Sequence, residues 1–214
     1  MKPLIVTGTD TGVGKTVVSA MLTLALNGIY WKPIQSGIQN GTDTKRVAAL
    51  TRLSEGHFRP ERYLLKEPLS PHRAAELDGV EIDPGNLQLP NDIASGRSLI
   101  VEGAGGVLVP VTRTMLQIEL FTRWRAPVVL VARTQLGTIN HTLLSLEALR
   151  SRSIAVRGVV FVGDAMEDTE RTIVTFGRTK SLGGLPYLKA LDAESLTQAF
   201  AAHFKRRDFE APDG

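Results

Sequence analysis

The chain has 214 residues, 43% hydrophobic and 22% charged, with 25 Lys and Arg against 22 Asp and Glu for a formal charge of +3. That length suits one domain with one sizeable core, and the balance excludes a disordered, collagen-like or coiled-coil chain. So small a surplus gives no reason to expect a nucleic-acid or membrane partner, and the absence of cysteine rules out disulfides, thiolate metal sites and a cysteine nucleophile.

In chain order, short Val, Ile and Leu runs at 4–6, 29–31, 99–101, 128–131 and 156–162 predict strands buried on both faces. Between them, helix-like segments fall at 15–26, 45–53, 115–124, 139–150, 167–176 and 193–204. Strand and helix alternate, so the expected fold is α/β, P-loop NTPase-like: a mostly parallel sheet with helices on both faces in a single domain, residues 1–214. Residues 55–98 carry five prolines and allow only short helices, near 72–77 and 87–94. The stretch 208–214 reads as a loose tail, and Lys205, Arg206 and Arg207 before it suit the negative end of a helix. With no signal-peptide core or long apolar run, the expected location is cytoplasmic.

The most specific pattern is Gly8-Thr9-Asp10-Thr11-Gly12-Val13-Gly14-Lys15-Thr16, directly after the first strand and before a helix. In such a loop, backbone N–H groups wrap phosphates and the helix amino terminus adds positive charge. Lys15 reaches the terminal phosphates and Thr16 offers a hydroxyl to magnesium. Five residues, rather than the usual four, separate Gly8 from Gly14.

Glu102 ends an apolar strand and is followed by Gly103-Ala104-Gly105-Gly106. At the carboxyl end of a strand in an open α/β sheet, it is placed to face the phosphate loop and reach magnesium directly or through water. The exit of the second strand carries Lys32-Pro33-Ile34-Gln35-Ser36-Gly37, then Gly41-Thr42-Asp43-Thr44 before a helix. Taken singly, Lys32 reads as a snorkelling surface lysine and Asp43 as a helix cap. Their shared place beside the phosphate loop marks them as a second-substrate site.

The segments GTDTGVGKT, KPIQSG, EPLSPHRAA, VEGAGG and QLGTINH, in this order, resemble the dethiobiotin synthetases. The resemblance implies a homodimeric enzyme with ATP as co-substrate and Mg2+. That enzyme makes dethiobiotin from 7,8-diaminononanoate and carbon dioxide in biotin synthesis, through a carbamate and a carbamic-phosphoric anhydride, releasing ADP and phosphate. It also implies that Lys32 and Lys15 are catalytic, and that Thr11, Gly12, Val13, Gly14, Lys15, Thr16, Glu102 and Gly105 bind nucleotide. Thr16, Asp43 and Glu102 surround the metal. Ser36, Gly105, Gly106 and Val107 contact the diamine or its carbamate, and Asn140 receives the substrate carboxylate across the subunit interface. Gly163 and Asp164, with Pro186, Tyr187 and Leu188, border adenine. Three features depart from the family pattern: Gly12 stands where some relatives carry an acid, Gly163 where the adenine-reading asparagine is expected, and the acid usual after the Pro-x-Leu segment is matched by either Asp192 or Glu194.

Rival readings meet specific obstacles. Partition and septum-placement ATPases carry an extra lysine early in the loop, and Thr9 to Val13 has none. A guanine-reading Asn-Lys-x-Asp is missing, and a glutamine-dependent ligase would need a cysteine. A small-molecule kinase remains compatible with the residues.

Overall fold

A computed structural model describes residues 2–94 and 96–210. Seven parallel strands form one sheet in the order β4 (Phe58–Arg59), β2 (Ile29–Trp31), β6 (Ser98–Gly106), β1 (Lys2–Gly8), β7 (Val128–Arg133), β8 (Val156–Val162) and β9 (Ser181–Leu185). A separate two-stranded parallel pair joins β3 (Ile34–Ser36) to β5 (Tyr63–Leu65).

Alternation along the strands divides the core between the two faces of the sheet. On one face Ile5, Val101, Leu130 and Phe161 pack with Phe121 and Trp124 of α4 (Gln117–Trp124) and with Leu146 and Leu149 of α5 (Thr138–Arg150). Ile173 of α6 (Glu167–Phe176) completes that layer. On the other face Val6, Tyr30, Ile100 and Val160 meet Val18, Met21 and Leu22 of α1 (Lys15–Ala25). Val47 and Leu50 of α2 (Asp43–Thr51) and Leu196 of α7 (Ala193–His203) lie in the same cluster. Truncating a fully buried anchor such as Phe121 to alanine costs about 3–5 kcal/mol, because the hole it leaves only partly collapses.

Several expectations change in detail. α2 begins two residues before the predicted start, because Thr42 caps it by accepting from the Lys45 N–H at 3.2 Å. Asp43 is therefore the first helical residue and its carboxylate is free for other partners. The short helix expected near 72–77 is α3 (Pro71–Asp78), closed by Gly79 at φ +66°. The segment expected as a helix over 87–94 is irregular instead. Pro90 withholds an N–H there, and Leu87 enters the core from a turn, its carbonyl accepting from Trp124 Nε1 at 2.6 Å.

β9 has no counterpart among the predicted strands because two of its five residues are glycine. Gly183, at φ +134°, sits where the carbonyl of His203 comes too close for any Cβ. The expected loose tail is corrected over 208–210. Phe209 is 4% exposed and packs on Phe200 and Phe204 with ring centroids 5.9 and 6.1 Å apart, and Lys180 pairs with Asp208 at 2.6 Å. Residues 211–214 of that tail lie outside the described residues. The basic run before it serves a different helix from the one expected, since Arg206 donates to the Ala25 carbonyl at the end of α1.

Candidate active site

The register of the sheet assembles the site. β1 lies between β6 and β7, pairing Val6 with both Glu102 and Val129 and Gly8 with Val131. The loop leaving β1 therefore emerges beside the ends of both neighbours, and β2, next to β6, delivers Lys32 to the same place. Ligands collect at such carboxyl-end crevices in open α/β sheets.

The loop from 8 to 16 is shaped by its glycines. A Cβ on Gly8 would lie 2.6 Å from Val13 Cγ2, while Gly12 and Gly14 hold φ of +74° and +99°. Asp10 closes the turn by accepting the Thr11 N–H at 2.7 Å, and its other oxygen pairs with Arg133 at 3.0 Å. Lys15 is 6% exposed and its ammonium donates to the Asp10 carbonyl at 2.8 Å. Burial, the largest influence, together with repulsion from Lys32, lowers its pKa to about 8 against the pull of Glu102, Asp43 and Asp10.

Thr16 Oγ1 lies 2.9 Å from Glu102 Oε1 and 3.2 Å from Asp43 Oδ1. One hydroxyl proton serves two carboxylates, so only one accepts from it at a time. The ammonium of Lys32, 6% exposed, pairs with both acids, contacting Asp43 closely and Glu102 Oε1 at 3.2 Å. Burial works against its charge, but Glu102 and Asp43 together outweigh it and hold its pKa above the ordinary value. Lys32 is thus an interior ion-paired lysine, the opposite of a snorkelling one. Tyr30 donates to Glu102 Oε2 at 2.9 Å, and burial with the neighbouring Glu102 raises its phenol pKa well above 10, so it remains a donor.

Lys15, Thr16, Lys32, Asp43 and Glu102 line a cavity of about 720 Å³, within the usual range of about 300–1,000 Å³ for small-molecule sites. Of the residues expected in the site, Thr11 to Thr16, Lys32, Ser36, Asp43, Glu102, Gly105, Pro186, Tyr187 and Leu188 line it. Gly106, Val107, Asn140, Gly163 and Asp164 are not among its lining residues. Val107 packs into the core, and Asn140 is exposed near the start of α5. Gly163 is buried at φ +125°, where a Cβ would stand 2.6 Å from Thr134 Oγ1. Ser36 Oγ is buried at the cavity with no partner among the described residues, so it is available to a ligand.

The oxygens around Thr16 suit a hard cation. Two carboxylates and a hydroxyl match the oxygen preference of magnesium, and no group of three or more His, Cys, Asp or Glu gathers among the described residues to form an all-protein cage. An ion held there would keep water and phosphate oxygens in its shell.

Five contributors lie outside the expected set: Arg133, Arg46, Tyr30, Gln35 and Gln117. Arg46 lines the cavity from α2 and forms no ion pair among the described residues. Gln117 is 3% exposed and grips the end of β6 after Glu102, accepting from Ala104 N at 2.5 Å and donating to Gly106 O at 3.1 Å. Its amide also explains Gly103, whose Cβ would meet it at 2.9 Å. The one sequence signal for Gln117 is a polar residue on the buried face of an amphipathic helix.

A family model described as an AAA domain matches residues 2–195. The ATP-dependent dethiobiotin synthetase BioD of Novosphingobium aromaticivorans is 55% identical over 209 residues, covering 98% of this chain and 100% of that one. The protein of the same name from a Bradyrhizobium species is 56% identical over 206 residues, covering 96% and 97%. Among solved structures, a ParA family ATPase from Chlorobium tepidum aligns with TM-score 0.55 at 11% identity, covering 94% of this chain and 98% of that one. The cell division ATPase MinD of Pyrococcus furiosus aligns with TM-score 0.54 at 12% identity, covering 93% and 97%. At such identities the two structures speak for the fold alone. No described helix is long and apolar enough to cross a membrane.

Proposed function

The chain belongs to the ATP-dependent dethiobiotin synthetase family, and from that premise we propose that it is an ATP-dependent cyclo-ligase of biotin synthesis. It joins 7,8-diaminononanoate and carbon dioxide into the cyclic urea of dethiobiotin while ATP becomes ADP and phosphate. The observation that carries this reading is the meeting of Lys15, Thr16, Lys32, Asp43 and Glu102 in one cavity, a phosphate loop beside a second-substrate site.

An alkyl amine with a pKa near 10.4 must lose its proton before it can attack carbon dioxide. Lys15 meets a carbonyl rather than a carboxylate, so its charge is free to disfavour an ammonium beside it and to favour the carbamate that follows. Carbamate oxygen attacks the terminal phosphorus and ADP leaves, giving a carbamic-phosphoric anhydride. The second amine then attacks the carbonyl carbon and phosphate departs with the ring closed. Lys15 and Lys32 stand where negative charge gathers on the transferred group. Ser36 Oγ and the backbone at Gly105 receive the diamine or its carbamate. Magnesium, held by Thr16, Asp43 and Glu102, would neutralise phosphate charge.

The working unit is a homodimer in the cytoplasm. Asn140 does not line its own cavity, and the free N–H groups at the start of α5 suit a carboxylate, so the substrate's far end is received by the partner subunit's Asn140. Pro186, Tyr187 and Leu188 border adenine.

Oxygen-18 decides the mechanism. In turnover with labelled carbon dioxide, faster than its exchange with water, one label passes into phosphate in step with cyclic urea. Unlabelled phosphate from a pool shown to remain labelled would overturn the carbamate route, and phosphate retained on the product would indicate a kinase.

A further inference from the structure

Tyr30 and Gln35 stand on either side of Lys32, Tyr30 on β2 and Gln35 on β3, and both are buried, at 0% and 5% exposure. Tyr30 donates its hydroxyl to Glu102 Oε2 at 2.9 Å, leaving Oε1 to face Thr16 and Lys32. Gln35 accepts from the Asp43 N–H at 3.0 Å and donates its amide to the carbonyls of Ser36 and Gly37 at 3.2 and 3.0 Å. Each residue therefore fixes one of the two carboxylates by a different handle, Tyr30 through the carboxylate itself and Gln35 through the backbone that carries it.

We infer that Tyr30 and Gln35 are positioning residues that hold Glu102 and Asp43 in the geometry required for a magnesium ion bound with nucleotide. The terminal torsion of a glutamate is broad, so without a second contact Glu102 can turn about its carboxylate axis. Tyr30 removes that freedom because its ring is locked in the core cluster with Val6, Ile100 and Met21. Gln35 ties the exit of β3 to the first turn of α2, so Asp43 keeps its distance from Thr16. Partners of this kind, one step behind the ligands, govern metal affinity in proteins by about 10–100-fold.

This inference rests on the reading that Thr16, Asp43 and Glu102 hold magnesium, and calorimetry separates the two. Binding of a non-hydrolysable ATP analogue is measured with magnesium and with chelator, for the wild type, Tyr30→Phe and Gln35→Met. Thermal melting is followed in parallel. The wild type should gain affinity from magnesium, and each variant should lose at least about fivefold of that gain, with metal-free affinity within about twofold of wild type. A purely structural role would move melting and leave the magnesium gain intact, and that result in a folded variant would overturn the inference alone. No magnesium gain in the wild type would overturn the metal assignment and the inference together. Gln35→Met reads the Asp43 arm independently should Tyr30→Phe not fold.

Discussion

The ammonium of Lys15 donates to the carbonyl oxygen of Asp10 at 2.8 Å, so the phosphate lysine rests on the backbone of its own loop. A neutral partner does little to offset burial, and the Lys15 pKa falls to about 8, whereas Lys32, between two carboxylates, is held above its ordinary value. The two lysines of one cavity are shifted in opposite directions.

For Lys15 the window runs from about pH 8 to the ordinary value of 10.5. The unfolded chain binds more protons than the folded one across it, so this lysine makes the ligand-free protein more stable as pH rises. Nucleotide binding goes the other way, because phosphate oxygens favour the ammonium, and affinity should fall as pH passes 8. Calorimetry at pH 8.5 in two buffers of different ionisation heat should show net proton uptake on binding. Binding without uptake, at an affinity constant from pH 7 to 9, would contradict this.

Lys32→Met should lower turnover by about 10² or more, since it removes a cation from the reacting phosphate. It also leaves Asp43 and Glu102 facing each other across Thr16, and breaking a buried ion pair in this way costs about 3–5 kcal/mol. Chemical denaturation of the magnesium-free variant should show a loss of that order, with part recovered when magnesium is added. Wild-type turnover in the variant would reduce Lys32 to a structural ion-pair partner.

On the proposed adenine site, Gly163 stands where the family resemblance expects an asparagine amide, so ATP should be preferred over GTP by less than in relatives that carry asparagine there. Restoring that side chain is not a simple repair. Its Cβ would meet Thr134 Oγ1 at 2.6 Å with the backbone at φ +125°. Gly163→Asn paired with Thr134→Ala should therefore raise discrimination more than Gly163→Asn alone, as read from competition between the two nucleotides. Strong ATP preference in the wild type, unaltered by either variant, would contradict this.

Mixing Lys32→Ala with Asn140→Asp tests the shared site. If Lys32 and Asn140 serve one cavity from two subunits, random exchange makes half the dimers mixed, each with one intact site. Activity should recover to about a quarter of wild type. With both variants inactive alone, no recovery despite demonstrated subunit exchange would place both residues in the same subunit's site, and an Asn140→Asp protein active by itself would place Asn140 in none.

The strands at 4–6, 29–31, 128–131 and 156–162, and the helices leading from Lys15 and Glu167, were legible because each is a local pattern. Buried parallel strands are continuously apolar, and helices carry a recurring apolar face. The phosphate loop was equally plain, since its glycines answer to backbone conformation within nine residues. What needed the folded chain was everything whose cause lies far along it. β9 is a strand through its pairing with β8 despite two glycines, and Phe209 is held by aromatic partners on and just after α7.

The same division runs through the site. Sequence alone pointed to the groups that the proposed chemistry uses: Lys15, Thr16 and Glu102 through the phosphate loop and the strand end that faces it, Lys32 and Asp43 through their shared place after the second strand. Only the tertiary structure decided how they are held. Lys32 became an interior ion pair because β2 and β6 are neighbours, and Asp43 became free to reach it because Thr42 took the cap. Tyr30, Arg133 and Gln117 belong to no motif, and their hydrogen bonds reach partners 11 to 123 positions away. A side chain that acts by orienting another leaves no spacing of its own, since its partner is chosen by sheet order and helix placement rather than by position along the chain.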